Sequence, residues 1–432
     1  MTNHDITLHP DEALNGNLED CARLLFPQKG ESKPRLRFRG FEGEWSRKMI
    51  GTIGMTYSGL SGKGKNDFGH GDAKYITFLN VLNNVQIDCS RFEKVEIREG
   101  EKQNKVHKGD LLFNTSSETP EEVAMCAVMG EEIDNLYLNS FCFGFRLVVP
   151  DVDPLFLAYQ MRSPYGRSLM SFIAQGATRY NLPKKEFVKT EIIIPKDIEE
   201  QRQIASFLCH LDEQIAVKQR QLERLKQMKL ACFGSLFPDS QSITPPLRFK
   251  GFNGEWIMIR FSDMAQRISI SGVSDKLPSV EFEDIVSGEG VLNKDVSRKN
   301  VVKRGVKFEK HDVLFGKLRP YLKNILYADF NGIAVGDFWV LRASEAVDPY
   351  FLYILVSTHQ FMSVANISSG SKMPRADWNL VSNSNFAIPS SIDEQRSIAS
   401  FFRNLDGQIN SKSQQVEKLK QVKKACLNQF IA

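Results

Sequence analysis

Several features of membrane, secreted and disulfide-bonded proteins are missing from this sequence. It contains no run of roughly 18 apolar residues, which a membrane-spanning helix requires. Its first residues, MTNHDITLHPDE, include acidic side chains and no apolar core, so we expect no secretory signal and no membrane partner. The seven cysteines contain no CxxC pair and no zinc-like cluster, so we expect reduced thiols, no metal and a cytoplasmic location.

Signatures of catalysis are also missing. The tetrapeptides DPLF (153–156) and DPYF (348–351) approach the (D/N)PP(Y/F) motif of amino-methyltransferases, but each lacks the second proline. No glycine-rich fingerprint for S-adenosylmethionine follows a strand, and HExxH, GxSxG and nuclease-type carboxylate motifs do not occur. The Gly- and Lys-rich stretch 59–75 departs from the phosphate-loop pattern. A binding protein is therefore favoured over an enzyme.

What the sequence does contain is a long internal repeat. Residues 195–236 and 389–430 align without a gap, and about half of their positions are identical. A shorter pair, LRFRGFEGEW (36–45) and LRFKGFNGEW (247–256), precedes the divergent material in each copy. The net charge of +4 is mild, so any basic surface that binds nucleic acid must be local.

The repeat continues across the ends of the chain. Leu25-Phe26-Pro27 matches Leu236-Phe237-Pro238, so the repeat behaves as if it were circular. We therefore expect the N-terminal segment 1–33 to pack near the end of the C-terminal helix.

Both conserved segments predict long coiled-coil helices, over 198–236 and 392–430. Apolar residues alternate at spacings of three and four over more than four heptads, which is typical of a coiled-coil seam. At about 1.5 Å per residue each helix is roughly 57 Å long. Pairing the two with each other, antiparallel and with a pseudo-two-fold relation, satisfies both seams. The seam residues are Ile204, Leu208, Leu211, Ile215, Leu222, Leu225, Ile398, Phe402, Leu405, Ile409, Val416 and Leu419.

Lysines interrupt this seam at the same places in both copies, including Lys229 and Lys423. They could set the register of the helix pair by disfavouring other alignments. Alternatively, they could extend their charged ends to water where the helices splay apart.

The material between the anchors predicts two α+β globules, 46–194 and 257–388. Short strand-like runs such as KYITFLNV (74–81) and GDFWVLRA (336–343) alternate with turns, and the segments that follow Asp-Pro at 153 and 348 predict helices. Trp45 and Trp256 follow Gly-Phe turns and are interpreted as packing where helix and globule meet. The predicted segments are 1–33, 34–197, 198–237, 238–391 and 392–432.

Candidate nucleic-acid contacts lie in loops that recur in both globules. The segments 176–183 and 370–378 each combine a glycine, cations and an aromatic residue, which suits phosphate oxygens and base edges. The segments 112–118 and 314–323 each follow an apolar strand. A solvated loop or strand end is the alternative for all of these. The candidates are Lys63, Lys65, Lys74, Asn114, Thr115, Thr178, Arg179, Tyr180, Asn181, Lys317, Arg319, Lys323, Lys372 and Arg375.

Together these motifs resemble the specificity subunits of bacterial type I restriction-modification systems. The duplicated IP-x-x-I-[ED]-EQR-x-IASF-x-x-x-LD-x-QI segments and the LRF-[RK]-GF-x-GEW motifs carry the resemblance, which covers nearly the whole chain.

The resemblance implies a DNA-binding protein without catalytic residues of its own. Each globule would read one half of a bipartite site in double-stranded DNA. The helices would set the spacer and dock two modification subunits, and S-adenosylmethionine would bind those partners. Whether restriction subunits also bind stays open. Two rival interpretations are an enzyme with unrecognised motifs and an adaptor whose globules bind proteins.

Overall fold

The computed structural model describes residues 6–7, 37–239, 242–273, 276–299, 303–367 and 373–427. The chain forms two compact units, one of residues 1–218 with 415–432 and one of residues 219–414. Nearly all of the predicted N-terminal segment, 1–33, lies outside the described residues, as does Lys372. Within the described ranges, no helix is both long and apolar enough to cross a membrane.

In its described residues, the first unit combines thirteen strands with short helices and parts of two long helices. Its helices are Ile50–Ile53, Phe78–Asn83, Pro154–Arg162, Pro164–Ile173, Lys184–Lys189 and the beginning of Ile198–Leu236. Its strands are β1 (Ile6–Thr7), β2 (Arg37–Phe38), β3 (Ser46–Met49), β4 (Gly54–Ser58), β5 (Phe68–Ile76), β6 (Phe92–Val95), β7 (Leu111–Asn114), β8 (Ser116–Ser117), β9 (Cys126–Val128), β10 (Leu136–Leu138), β11 (Cys142–Leu147), β12 (Tyr180–Asn181) and β13 (Glu191–Ile194).

The described part of the second unit has twelve strands and the other parts of the long helices. Its helices are Phe261–Met264, Pro349–Leu355, His359–Ala365, Trp378–Asn383 and the beginning of Ile392–Leu427. Its strands are β14 (Trp256–Arg260), β15 (Ala265–Ile268), β16 (Ser271–Gly272), β17 (Ser279–Val280), β18 (Ile285–Val286), β19 (Val291–Leu292), β20 (Gly305–Phe308), β21 (Val313–Gly316), β22 (Ile325–Tyr327), β23 (Gly332–Ala334), β24 (Phe338–Ala343) and β25 (Asn385–Pro389).

Each unit is built around a four-stranded antiparallel sheet. The strand order is β4-β11-β7-β9 in the first unit and β15-β24-β21-β22 in the second. The central strands β7 and β21 are buried along their whole length and, apart from Asn114 at the end of β7, are apolar, as expected for strands covered on both faces. The predicted α+β fold, with two repeated domains and long helices, is therefore present.

The long helices begin where the seam predicts, at Ile198 and Ile392. Asp197 caps the first, since its Oδ1 accepts a hydrogen bond of 2.8 Å from the backbone N–H of Glu199. All twelve predicted seam residues are buried or half-buried. In the first unit, Leu211 belongs to the same hydrophobic core that Leu419 packs against. In the second, Leu236 and Phe402 share a core. Each unit thus pairs the end of one long helix with the beginning of the other.

One predicted strand is wrong in part. Residues 74–81 were expected to be extended, but β5 ends at Ile76 and a helix begins at Phe78. The side chain of Thr77 accepts a hydrogen bond from the backbone N–H of Asn80 and so caps this helix. The apolar residues after Thr77 therefore continue into a short helix.

Candidate nucleic-acid interface

A buried glutamate joins the first globule to the first long helix. The two carboxylate oxygens of Glu200 accept hydrogen bonds of 2.8 and 2.6 Å from the guanidinium of Arg37. The indole N–H of Trp45 donates to the same carboxylate at 3.2 Å. Trp45 is buried, so the interpretation of this residue as junction packing agrees with its position.

The second unit repeats this junction with the equivalent residues. Glu394 accepts hydrogen bonds of 2.8 and 2.6 Å from Arg248 and one of 3.4 Å from the indole N–H of Trp256. The next residue in each copy, Gln201 or Gln395, bonds backbone groups that lead into the Asp-Pro helix. The duplicated Glu-Gln pair therefore orients each globule on its helix.

A tyrosine, an aspartate and a lysine form a second repeated contact. In the first unit, Asp212 accepts a hydrogen bond of 2.9 Å from the Tyr159 hydroxyl and forms an ion pair with Lys423. In the second, Asp406 accepts 2.8 Å from the hydroxyl of Tyr350 and lies 2.6 Å from Lys229 Nζ. Two seam lysines are thus ion-paired to the opposite long helix, which favours their role in setting register.

Two of the predicted candidate segments meet in the first unit. β12, from the loop 176–183, pairs antiparallel with β8, which follows the central strand β7. The guanidinium of Arg179 donates to the Ser116 hydroxyl at 3.0 and 3.2 Å, while Asn181 lies opposite Ser116 in the ladder. Thr115, Thr178, Tyr180 and Asn181 lie in or next to this ladder, and Thr178, Arg179 and Asn181 are exposed. We call the segments 115–117 and 178–182 the first edge platform.

The corresponding candidate segments meet in the second unit as well. Leu318 and Arg375 form an antiparallel bridge just beyond the central strand β21. The backbone N–H of Arg319 donates to Pro374 at 2.8 Å, and that of Ala376 donates to Lys317 at 2.8 Å. The carbonyl of Asp337 accepts a hydrogen bond of 2.8 Å from the backbone N–H of Lys317. We call the segments 317–319 and 373–376, together with Asp337, the second edge platform.

Backbone hydrogen bonds define which positions correspond. Thr115 N–H donates to the carbonyl of Phe141 at 2.9 Å, as Lys317 N–H donates to that of Asp337 at 2.8 Å. Leu182 N–H donates to Thr115 at 2.9 Å, as Ala376 N–H donates to Lys317. Asn181 therefore corresponds to Arg375.

Three candidates in the first unit lie away from its edge platform, toward the Gly- and Lys-rich stretch. Lys65 and Lys74 are exposed. Lys63 has only 4% of its side chain exposed, because its ammonium donates to the Glu96 carbonyl and the Glu101 carboxylate, at 2.6 and 2.5 Å. The structure corrects the prediction for Lys63, whose charge is used within the fold.

Two more candidates have internal roles and are corrected. Asn114 is fully buried, and its amide holds the turn after β7 by donating to the carbonyls of Ser116 and Glu122 and accepting from the Met125 N–H. Lys323 is half-buried, and its ammonium lies 3.4 Å from the Ser357 carbonyl. Burial and the nearby charge of Lys229 lower its pKa. Neither side chain is presented to an external ligand.

One residue of the second edge platform was missed by sequence reasoning. Asp337 precedes β24, and its carboxylate lies 2.9 Å from Arg375 Nη2 and 3.4 Å from Lys317 Nζ. Its signal was present in the sequence, since an acidic residue after Gly336 interrupts an apolar strand. Only the fold places it between two candidate cations.

Comparison with known proteins agrees with this organisation. The family model described as "Type I restriction modification DNA specificity domain" matches residues 43–227 and 281–421. The MjaIX type I restriction enzyme specificity subunit of Methanocaldococcus jannaschii is 24% identical over 421 residues, covering 90% of this chain and 93% of that protein. The putative MjaX specificity subunit of the same organism is 22% identical and covers 94% and 97%.

Solved structures show the same fold. The crystal structure of a type I restriction-modification S subunit from M. genitalium has a TM-score of 0.58 at 14% identity, covering 89% of this chain and 95% of that one. A chain from a structure of the assembly and conformational transition of the type I system has a TM-score of 0.51 at 14% identity, covering 89% and 96%. Since the family model matches well over half of the chain, this protein belongs to the type I restriction-modification DNA specificity family, whose members confer DNA sequence specificity.

Proposed function

We propose that this chain is the non-catalytic specificity subunit of a type I complex and that its two globules read different halves of an interrupted, asymmetric DNA site. The observation that carries the proposal is the edge platform. It recurs in both units with the same backbone hydrogen bonds but different side chains, Thr115 and Asn181 in one and Lys317 and Arg375 in the other. A common backbone positions a reader, whereas the side chains select the base. Different side chains therefore predict different half-sites.

The remaining parts of the proposal concern partners. The long helices would set the spacer and dock two modification subunits, which would bind S-adenosylmethionine. The helix residues outside the buried seam are largely exposed. This supports such docking, since side chains that flank a coiled-coil seam can contact a partner. Restriction subunits would join where the system also cuts DNA. The complex would act on double-stranded DNA in the bacterial cytoplasm.

Long-read methylome sequencing of a host that expresses this chain with its neighbouring methyltransferase tests the proposal. We expect a new, interrupted motif with two unlike half-sites. A host expressing the methyltransferase alone is the matched control and should lack this motif. No new methylation, with both proteins expressed and associated, would instead favour the adaptor. Methyl transfer by the purified chain alone would favour the enzyme.

Binding measurements separate DNA recognition from protein adaptation. Phosphate contacts release counterions, so affinity for duplex DNA should fall steeply with salt. Substitution of Asn181 by Ala should impair recognition of one half-site, and substitution of Arg375 by Ala should impair the other. Equal loss at both half-sites from either variant would contradict the division of labour between the globules.

A further inference from the structure

The second edge platform contains a cluster of three charges that the first lacks. Lys317 and Arg375, both predicted DNA contacts, lie on either side of Asp337. The carboxylate is 28% exposed and the Arg375 side chain 56%, so the cluster faces solvent. Burial raises the pKa of Asp337, but hydrogen bonding and charge from Arg375, together with Lys317, outweigh that effect and lower it. Asp337 is therefore ionised at neutral pH.

We propose that Asp337 determines specificity by positioning: it holds the guanidinium of Arg375 for the edge of a guanine in the second half-site. The inference rests on the proposed function and adds which base one side chain reads. Arg375 is the reader, and Asp337 acts through it.

The backbone around the cluster fixes all three residues. The backbone carbonyl of Asp337 accepts a hydrogen bond of 2.8 Å from the Lys317 N–H. Asp337 directly precedes Phe338, which pairs with Gly316 in the central sheet. Arg375 is bridged to Leu318. Three chain segments thus meet with their positions set by main-chain bonds, and only the side chains remain to be oriented.

The chemistry of the arginine explains the value of such a partner. A guanidinium carries five N–H donors in a planar fork, and a bidentate pair to guanine O6 and N7 is the commonest specific contact in the major groove. Asp337 accepts from Nη2 and leaves other donors for the base. An exposed arginine without this partner would lose more rotamer freedom on binding. The Asp337 carboxylate would also repel DNA phosphates. It would therefore lower the affinity for DNA of any sequence while increasing discrimination between bases.

The first unit shows the same positions without the carboxylate. By their backbone hydrogen bonds, Phe141 corresponds to Asp337, Thr115 corresponds to Lys317, and Asn181 corresponds to Arg375. An asparagine amide pairs with adenine rather than guanine. Recognition of the first half-site is therefore an internal control that substitutions of Asp337 should leave unchanged.

The experiment uses the assembled complex and duplexes that carry the methylome-defined site, with each of the four base pairs placed in turn at every position of the second half-site. Asp337→Asn should reduce the preference for a guanine-containing pair at one position by about tenfold, within the range of one bidentate contact. Affinity for unrelated duplex DNA should be equal or higher, because a negative charge has been removed. Asp329→Asn, an exposed carboxylate of the same unit, is the matched control and should change neither.

A double-mutant cycle tests whether Asp337 acts through Arg375. Arg375→Ala removes every donor that could contact the base edge, so it should abolish the same guanine preference. Adding Asp337→Asn to that variant should then have no further effect on preference. Unchanged discrimination in Asp337→Asn, or an equal loss of affinity for all duplexes, would overturn the inference. If the unmodified complex shows no preference in the second half-site, the proposed function itself fails, and the inference fails with it.

Discussion

At the scale of residues, the duplicated Glu-Gln-Arg triplets show how a conserved motif can serve the fold rather than chemistry. Glu200 is buried and neutralised by Arg37, while the neighbouring Glu199 is exposed and pairs with Arg202 only within its own helix. Two glutamates side by side therefore have unequal importance. The difference is invisible in the sequence, because Arg37 lies more than a hundred residues away.

Glu200→Ala should destabilise the first unit by about 3 kcal/mol, since it removes the buried carboxylate that accepts from the half-buried guanidinium of Arg37 and from the Trp45 indole N–H. Glu199→Ala should cost less than about 0.5 kcal/mol, as exposed ion pairs contribute little. The midpoints of guanidinium unfolding curves measure both. Equal shifts for the two variants would show that the junction contributes no more than a surface pair.

The Lys63–Glu101 pair provides a test based on pH. Hydrogen bonds from Lys63, Gln103 and the Arg98 backbone lower the pKa of Glu101 to about 2. Because the pKa of Glu101 is lower in the folded protein, its ionised carboxylate stabilises the fold. This stabilisation is present above pH 4.5, the ordinary pKa, and is lost as the pH falls toward about 2. Lys63→Gln should raise the pKa of Glu101, and Lys65→Gln should leave it unchanged. Side-chain carboxyl NMR titration reports both values, and an unchanged pKa in Lys63→Gln would contradict the internal role of Lys63.

Lys65, unlike Lys63, is expected to contact DNA phosphates. Its side chain is exposed and its charge is available to a phosphate. Lys65→Gln should weaken binding by a similar factor for all sequences and reduce the salt slope by about 1. Fluorescence anisotropy over a salt series measures this slope. An unchanged slope would remove Lys65 from the interface.

At the scale of elements, the long helices were predictable and the edge platforms were not. A three-four alternation over several heptads determines a helix from local information, and the observed starts at Ile198 and Ile392 agree. The pairing of β8 with β12 joins segments some 60 residues apart, and no local pattern encodes it. Sequence reasoning found the chemistry of the candidate segments but could not tell that Asn114 turns inward while Thr115 remains at the platform.

The tyrosine contacts illustrate the same limit. Tyr159 lies in the last turns of its Asp-Pro helix and Tyr350 in the first turn of the other, yet each hydroxyl bonds the equivalent aspartate, Asp212 or Asp406. The two tyrosines do not align in sequence. The two globules therefore form the same tyrosine–aspartate contact with the repeated helix from different positions of their Asp-Pro helices.

Lys229→Met separates the two interpretations of the seam lysines. If Lys229 sets register, the change leaves Asp406 half-buried without its cation and destabilises the second unit by about 1–2 kcal/mol. If it merely extends to water, a methionine in the seam should stabilise. Thermal unfolding followed by circular dichroism gives the sign. Lys226→Met removes a more exposed pair, with Glu289, and should have little effect.

At the scale of the whole molecule, each compact unit contains one globule together with a segment from each long helix. The division predicted from the sequence assigned the helices to domains of their own. Repetition could be recognised from residues 195–236 and 389–430, because identity at a constant offset needs no structure. How a unit shares two helices depends on tertiary contacts such as Lys229 with Asp406, which the repeat alone does not specify.

The length of the long helices gives the last prediction. Deleting residues 217–223 and 411–417 together removes one heptad from each helix while retaining Asp212, Lys229, Asp406 and Lys423. Each helix becomes about 10 Å shorter, which corresponds to about three base pairs of DNA. If the helices set the spacer, the methylated motif should keep both half-sites and lose about three intervening base pairs. Methylome sequencing measures the spacer, and a soluble variant that methylates the original motif would show that the spacing is set elsewhere.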